Sequence, residues 1–174
     1  DLGQCSAVVS FTVPAPTDNC SATSVSNLAS GSTFNVGTTT VTVTATDGSN
    51  NTGTCSFAVI VNDTQTPTAV CQPVTVQLDN TGNGSTTASA VNNGSSDACG
   101  IQSLALSQTA FTCANVGSNS VTLTVTDVNG NQSQCTATVT VQDLVAPGAV
   151  GQPVTVQLDN TGNGSTTAAA VNNG

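Results

Sequence analysis

The chain has 174 residues and a formal net charge of −9, carried entirely by Asp and opposed by no Lys, Arg or His. With no basic side chain to neutralise phosphates, nucleic acid and anionic membrane surfaces are very poor partners, and cations are the natural ionic ones. Glu, Met, Trp and Tyr are missing too, so general acid–base chemistry has no His, Lys or Tyr to use, and the composition points away from an enzyme.

In chain order, SAVVSFTV at 6–13 reads as a first strand. TTTVTVTATD at 38–47 alternates Val with Thr in strict period two, which places one face in a core and one in water. The turn-forming GSNNTG at 48–53 follows, and a second alternating run, CSFAVIV, starts at Cys55. VTVQL at 74–78 and IQSLALS at 101–107 also suit strands. SVTLTVTD at 120–127, NGN at 129–131 and CTATVTV from Cys135 then repeat the earlier hairpin. No stretch sustains a helical period, so the chain is predicted to be all-β, with turns at the spacing of a sandwich.

A second repetition is closer still. Residues 71–94 and 151–174 differ only by Gly151 for Cys71 and Ala169 for Ser89, which marks a tandem array built from one folding unit. Two units fit the length, 1–66 and 67–146, each closing on an Asp-containing linker that leads to Pro, NDTQTP and QDLVAP. Residues 147–174 open a further repeat. No apolar run reaches the roughly 18 to 20 residues that span a bilayer, and no basic, apolar leader opens the chain, which therefore reads as a mature or internal segment. Seven Cys without paired CxxC motifs favour disulfides and an oxidising, extracellular setting.

These residues carry a resemblance. GQCSAVVSFTVPAPTDNC at 3–20 with GSTFNVGTTTVTVTATDGSNNTGTCSFAVIV at 31–61 resembles a hyalin repeat, an immunoglobulin-like extracellular module found in tandem in adhesive and secreted proteins, including bacterial ones. DACG from Asp97 and NVGSNSVTLTVTDVNGNQSQCTATVTV from Asn115 are similar to the divergent repeats that accompany such modules in bacterial surface proteins. The resemblance implies tandem immunoglobulin-like sandwiches in an extracellular, adhesion-like setting, and carries over no catalytic residue. A complete hyalin repeat begins with a strand bearing a Cys followed by Pro. The second unit has it in AVCQPVTVQLD from Ala69; the first does not; the tail has AVGQPVTVQLD from Ala149, with Gly151 in place of Cys.

In such a sandwich the first and last strands lie side by side, which pairs Cys71 with Cys135. Elimination then pairs Cys99 with Cys113 and Cys5 with Cys20, and leaves Cys55 unpaired. Asp63, Asp97 and Asp127 are expected to meet at the pole between the units, with Asp18 and Asp47 their equivalents in the first unit and Asp143 serving the next junction. They suit Ca²⁺, the one cofactor the sequence suggests, or simply cap turns through their own backbone. The Asp79–Gly84 segment is expected to form a hairpin turn. Asn19, Asn50, Asn62, Asn83, Asn93, Asn131 and Asn163 head Asn-x-Ser/Thr glycan acceptors. The functional expectation is a non-enzymatic rod or filament of an extracellular fibre or surface adhesin; a glycan- or protein-binding module and a spacer array of a larger secreted enzyme are the alternatives. Its expected partner is itself, either as a head-to-tail polymer in which Val154, Val156 and Leu158 complete another copy's first unit, or as a covalent array.

Overall fold

The computed structural model describes residues 3–171. Residues 1–2 and 172–174, counted in the first and last segments of the sequence reading, lie outside the described residues. The described chain is nearly all β, in two strand groups of the same design. In the first, β1 (Ser6–Val9) pairs with β3 (Ser32–Asn35), and β2 (Ala22–Ser26), β4 (Gly37–Asp47) and β5 (Thr52–Val61) form a second sheet in the order β2-β4-β5. In the other, β7 (Asn83–Ser85) pairs with β9 (Ala110–Thr112). Its larger sheet runs β6-β11-β10-β8, from β6 (Val74–Gln77), β8 (Ile101–Leu106), β10 (Gly117–Asp127) and β11 (Gln132–Gln142).

The Val/Thr alternation does what period two requires. Val41 and Val43 of β4 are 0% and 2% exposed, and Val121, Leu123 and Val125 of β10 are sealed, while the intervening Thr stay half-exposed. Each such residue contributes about 1.5–3 kcal/mol of burial. Phe34 from β3 and Phe111 from β9 close the two cores from the facing sheets. The cores are unequal. The second group buries ten residues in one cluster, including Val76, Leu78 and Val91; in the first, only Phe34, Val41 and Val59 form the equivalent cluster.

The inequality traces to one strand. β6 lies parallel to β11, with Val74 opposite Val139 and Gln77 opposite Gln142, and supplies Val76 to the core. Nothing described pairs with the outer edge of β5.

Several elements differ from the expected ones. β1 stops at Val9, not residue 13, because the Phe11 amide donates to Ser30 Oγ (2.9 Å) in place of a strand partner and Pro14 and Pro16 have no amide to offer. The turn at Asp79 is not a hairpin: it joins β6 to β7, which belong to different sheets, so it is a corner between layers. Gly84 makes that corner possible, since a Cβ there would stand 2.6 Å from Val76 Cγ1. Single-turn helices, α1 (Ala88–Val91) and α2 (Ala168–Val171), occupy the same place in the duplicated block. Thr87 caps α1 by accepting from the Ala90 amide (3.2 Å). The short β2, β3, β7 and β9 were not anticipated, because three to five residues with one or two inward side chains give no readable period.

Truncating Leu123, fully buried in β10, to Ala should lower unfolding free energy by about 2–5 kcal/mol, measured by denaturant titration. The matching change at exposed Leu144 should leave the midpoint unmoved.

Candidate functional site

One turn chemistry recurs at Asp47, Asp79, Asp127 and Asp159. In each, the Asp amide donates to the carbonyl four residues on, and Oδ1 accepts from the amides two and four residues on, at 2.8–3.1 Å. The residue three positions on has positive φ: Asn50 at 66°, and Gly82, Gly130 and Gly162 between 77° and 91°. With no basic residue in the chain, these amides are what the carboxylates have. Asn51 holds the Asp47 carboxyl below its ordinary value, through its side chain first and then its amide. The Thr81 and Thr161 hydroxyls do the same for Asp79 and Asp159. Burial of Asp127 pushes its carboxyl up, but donation from the Asn131 side chain and the loop amides outweighs that and leaves it lowered.

The cysteines pair differently from expectation. Cys71 and Cys135 are joined, with Cα atoms 5.9 Å apart across β6 and β11. The Cys5–Cys20 and Cys99–Cys113 pairs do not form: Cys5 is bonded to Cys99 (Cα–Cα 4.7 Å), and Cys20, Cys55 and Cys113 are exposed free thiols. The reason is strand length. Cys99 precedes β8 beside the Asp127 end of β10, whereas Cys113 lies near its Gly117 end, roughly 30 Å away at the strand rise. Cys20 and Cys5 flank opposite ends of β4 in the same way: Ala22 pairs with Asp47, while the Cys5 carbonyl accepts from the Val36 amide (3.2 Å). Neither expected pair can come within disulfide reach.

Cys5–Cys99 therefore staples one strand group to the next, and the Asp residues gather around it. Oxygens of Asp63 and Asp97 and the sulfur of Cys99 lie within 4.8 Å of one another, all half-buried. Asp63 Oδ1 accepts from the Gln65 amide (3.0 Å) and Asp97 Oδ1 from the Cys99 amide (2.7 Å). Asp63 Oδ2 is buried without a hydrogen-bond partner among the described residues. Asp127 stays outside this group: Asn131 Nδ2 bridges its Oδ2 (2.8 Å) to the Asp63 carbonyl (3.3 Å). The expected trio of carboxylates is thus a pair, with the third committed to its own turn. Asp18 Oδ1 accepts from the Cys20 amide (2.8 Å), and Asp143 Oδ1 from the Val145 amide (3.0 Å).

Of the glycan acceptors, Asn19, Asn50, Asn62, Asn83, Asn93 and Asn163 are exposed. Asn131 is half-buried with its amide nitrogen engaged at the joint. In the tail, Val154, Val156 and Leu158 are 37%, 38% and 69% exposed, although the local turns of the duplicated block persist there.

The described residues are nearly all β, in a repeated strand design, and hold two disulfides of the kind that persist in oxidising compartments; no helix among them is long and apolar enough to cross a membrane. Residues 1–61 match the HYR domain family, which is consistent with a hyalin repeat, a module of extracellular proteins. No curated protein matches the chain.

The four turn carboxylates fix a pH response. Their folded values lie below the ordinary 3.8, so the stabilisation is complete above that value and is lost as pH falls through the lowered ones. Melting temperature should be flat from about pH 5 to pH 8, with no His to titrate, and should drop below about pH 4. Asp127→Ala should weaken that acid dependence.

Proposed function

We propose that the chain is a non-enzymatic structural repeat protein, in which tandem immunoglobulin-like sandwiches at 1–66 and 67–146, with a further repeat opening at 147–174, form the rod of an extracellular fibre or surface adhesin. The observation that carries this reading is the Cys5–Cys99 disulfide. Domains joined by a linker alone move relative to one another by default. Here a covalent bond and the Asn131–Asp63 contact fix the linker's exit against the next group, which is what a rod needs and a flexible tether does not. The Thr-rich outer faces and exposed glycan acceptors support a surface kept soluble by hydroxyls and sugars in place of charge.

The test is small-angle scattering of the full chain as a monomer. Oxidised protein should fit one extended shape, and the double variant Cys5→Ser/Cys99→Ser should require a spread of inter-group distances. A compact oxidised particle, or identical curves for both proteins, would rule out a stapled rod.

A cation at the joint is a second reading, favoured by the buried, unpartnered Asp63 Oδ2 and by a carboxylate oxygen of Asp97 within 4.8 Å of one of Asp63. Two carboxylates this close repel, and a hard divalent ion such as Ca²⁺ relieves that with oxygen ligands. Calcium should raise the melting temperature of the native chain and chelator should reverse it, while Asp63→Asn should remove the response. No calcium-dependent shift would leave Asp63 and Asp97 as linker and loop residues.

A further inference from the structure

Of the two disulfides, the one at the joint has carboxylates against it. Oxygens of Asp63 and Asp97 and the Cys99 sulfur lie within 4.8 Å of one another, and no comparable group forms at Cys71–Cys135 among the described residues. Local hydrogen bonds hold both carboxylates in place. Asp97 Oδ1 accepts from the amide of Cys99 itself (2.7 Å), and Asp63 Oδ1 from the Gln65 amide (3.0 Å), while Asn131 Nδ2 ties the Asp63 carbonyl to Asp127. Amides are neutral partners, and the chain has no Lys, Arg or His side chain to cancel the charge brought to Cys99. Burial does not set the two bonds apart, because all four bonded cysteines are half-buried. Charge does.

A disulfide opens by attack of a thiolate on one of its sulfurs. The incoming RS⁻ bonds to that sulfur, the S–S bond breaks, and the other sulfur leaves as a thiolate and takes up a proton. A second RS⁻ then frees the trapped sulfur and departs as RSSR, so the protein gains the two electrons that the two reagent thiols lose. In the first step negative charge builds beside the carboxylates whichever sulfur is struck. Attack on Cys99 brings the anion to them, and attack on Cys5 expels Cys99 as an anion next to them. Each like charge at this separation raises both barriers, even at the dielectric of water.

We propose that Asp63 and Asp97 form an electrostatic guard on the Cys5–Cys99 disulfide, which slows its opening by anionic thiols and leaves Cys71–Cys135 without such protection. The chain supplies attackers of its own. Cys20, Cys55 and Cys113 are exposed free thiols, and as thiolates, in the same or a neighbouring copy, they are the groups that would exchange into the staple. Slow exchange keeps the two strand groups joined in one pairing. The guard governs how fast the staple opens, whereas the rod depends on the shape the staple imposes, so either can fail alone.

The test is to reduce the full chain, with Cys20, Cys55 and Cys113 alkylated beforehand and chelator present throughout, using three thiols of one carbon skeleton. These are 2-mercaptoethanesulfonate, 2-mercaptoethanol and cysteamine, which end in a negative, a neutral and a positive group. At equal thiolate concentrations, released thiols are tagged at intervals and the initial rate at each bond is read by peptide mass spectrometry. The cysteamine-to-sulfonate rate ratio should be about fivefold or more greater at Cys5–Cys99 than at Cys71–Cys135, a comparison in which the reagents' own reactivities cancel. The neutral thiol should fall between them at Cys5–Cys99. Asp63→Asn/Asp97→Asn, which keeps both acceptor oxygens, should bring the ratios at the two bonds together. Equal ratios in the native chain would overturn the guard, and so would a folded double variant that leaves the Cys5–Cys99 ratio as it was. The native comparison needs no substitution, so it decides the matter even if the double variant does not fold.

Discussion

The pairing of a first strand with a last one governs the rest of the structure. Where β6 lies against β11, the backbone edge is satisfied, Val76 and Leu78 seal Val139 and Val141, and Cys71 reaches Cys135. Where no described strand lies against the outer edge of β5, the same positions on the same design are more exposed and Cys55 keeps its thiol. An unpaired edge with a partly covered apolar face is a template for another strand. The difference between the two groups is therefore how far that edge is covered among the described residues.

Charge imposes the second constraint. A chain with nine carboxylates and no cationic side chain cannot compensate them with salt bridges. Four are absorbed by the Asp-headed turn, whose amides and left-handed fourth residue form a small anion-binding pocket within five residues. The same device ends hairpins at Asp47 and Asp127 and turns the corner between layers at Asp79 and Asp159. Asp63 escapes it, because it lies in the linker and has one carboxylate oxygen left over. The joint is thus where the unpartnered carboxylate oxygen and the covalent staple are both found.

The sequence by itself determined whatever depends on neighbours along the chain. The long strands β4, β5, β10 and β11 follow from alternation, the turns from Asp with Gly or Asn at a fixed spacing, and the repeat from the duplicated block. The hyalin resemblance of residues 1–61 was readable from the same run. What only the tertiary structure decided is which strand ends meet. Cys5 and Cys20 look like neighbours at fifteen positions apart, yet β4 holds them at opposite poles, and Cys5 bonds instead to Cys99 across 94 residues. Asp127 looked equivalent to Asp63 and Asp97, but its oxygens belong to its own loop and leave the other two together. The short strands β3 and β9 bury one Phe each and exist because a longer sheet faces them. Local rules set period and turn; disulfide reach and ligand convergence are distances between segments, and those are fixed only when the sheets pack.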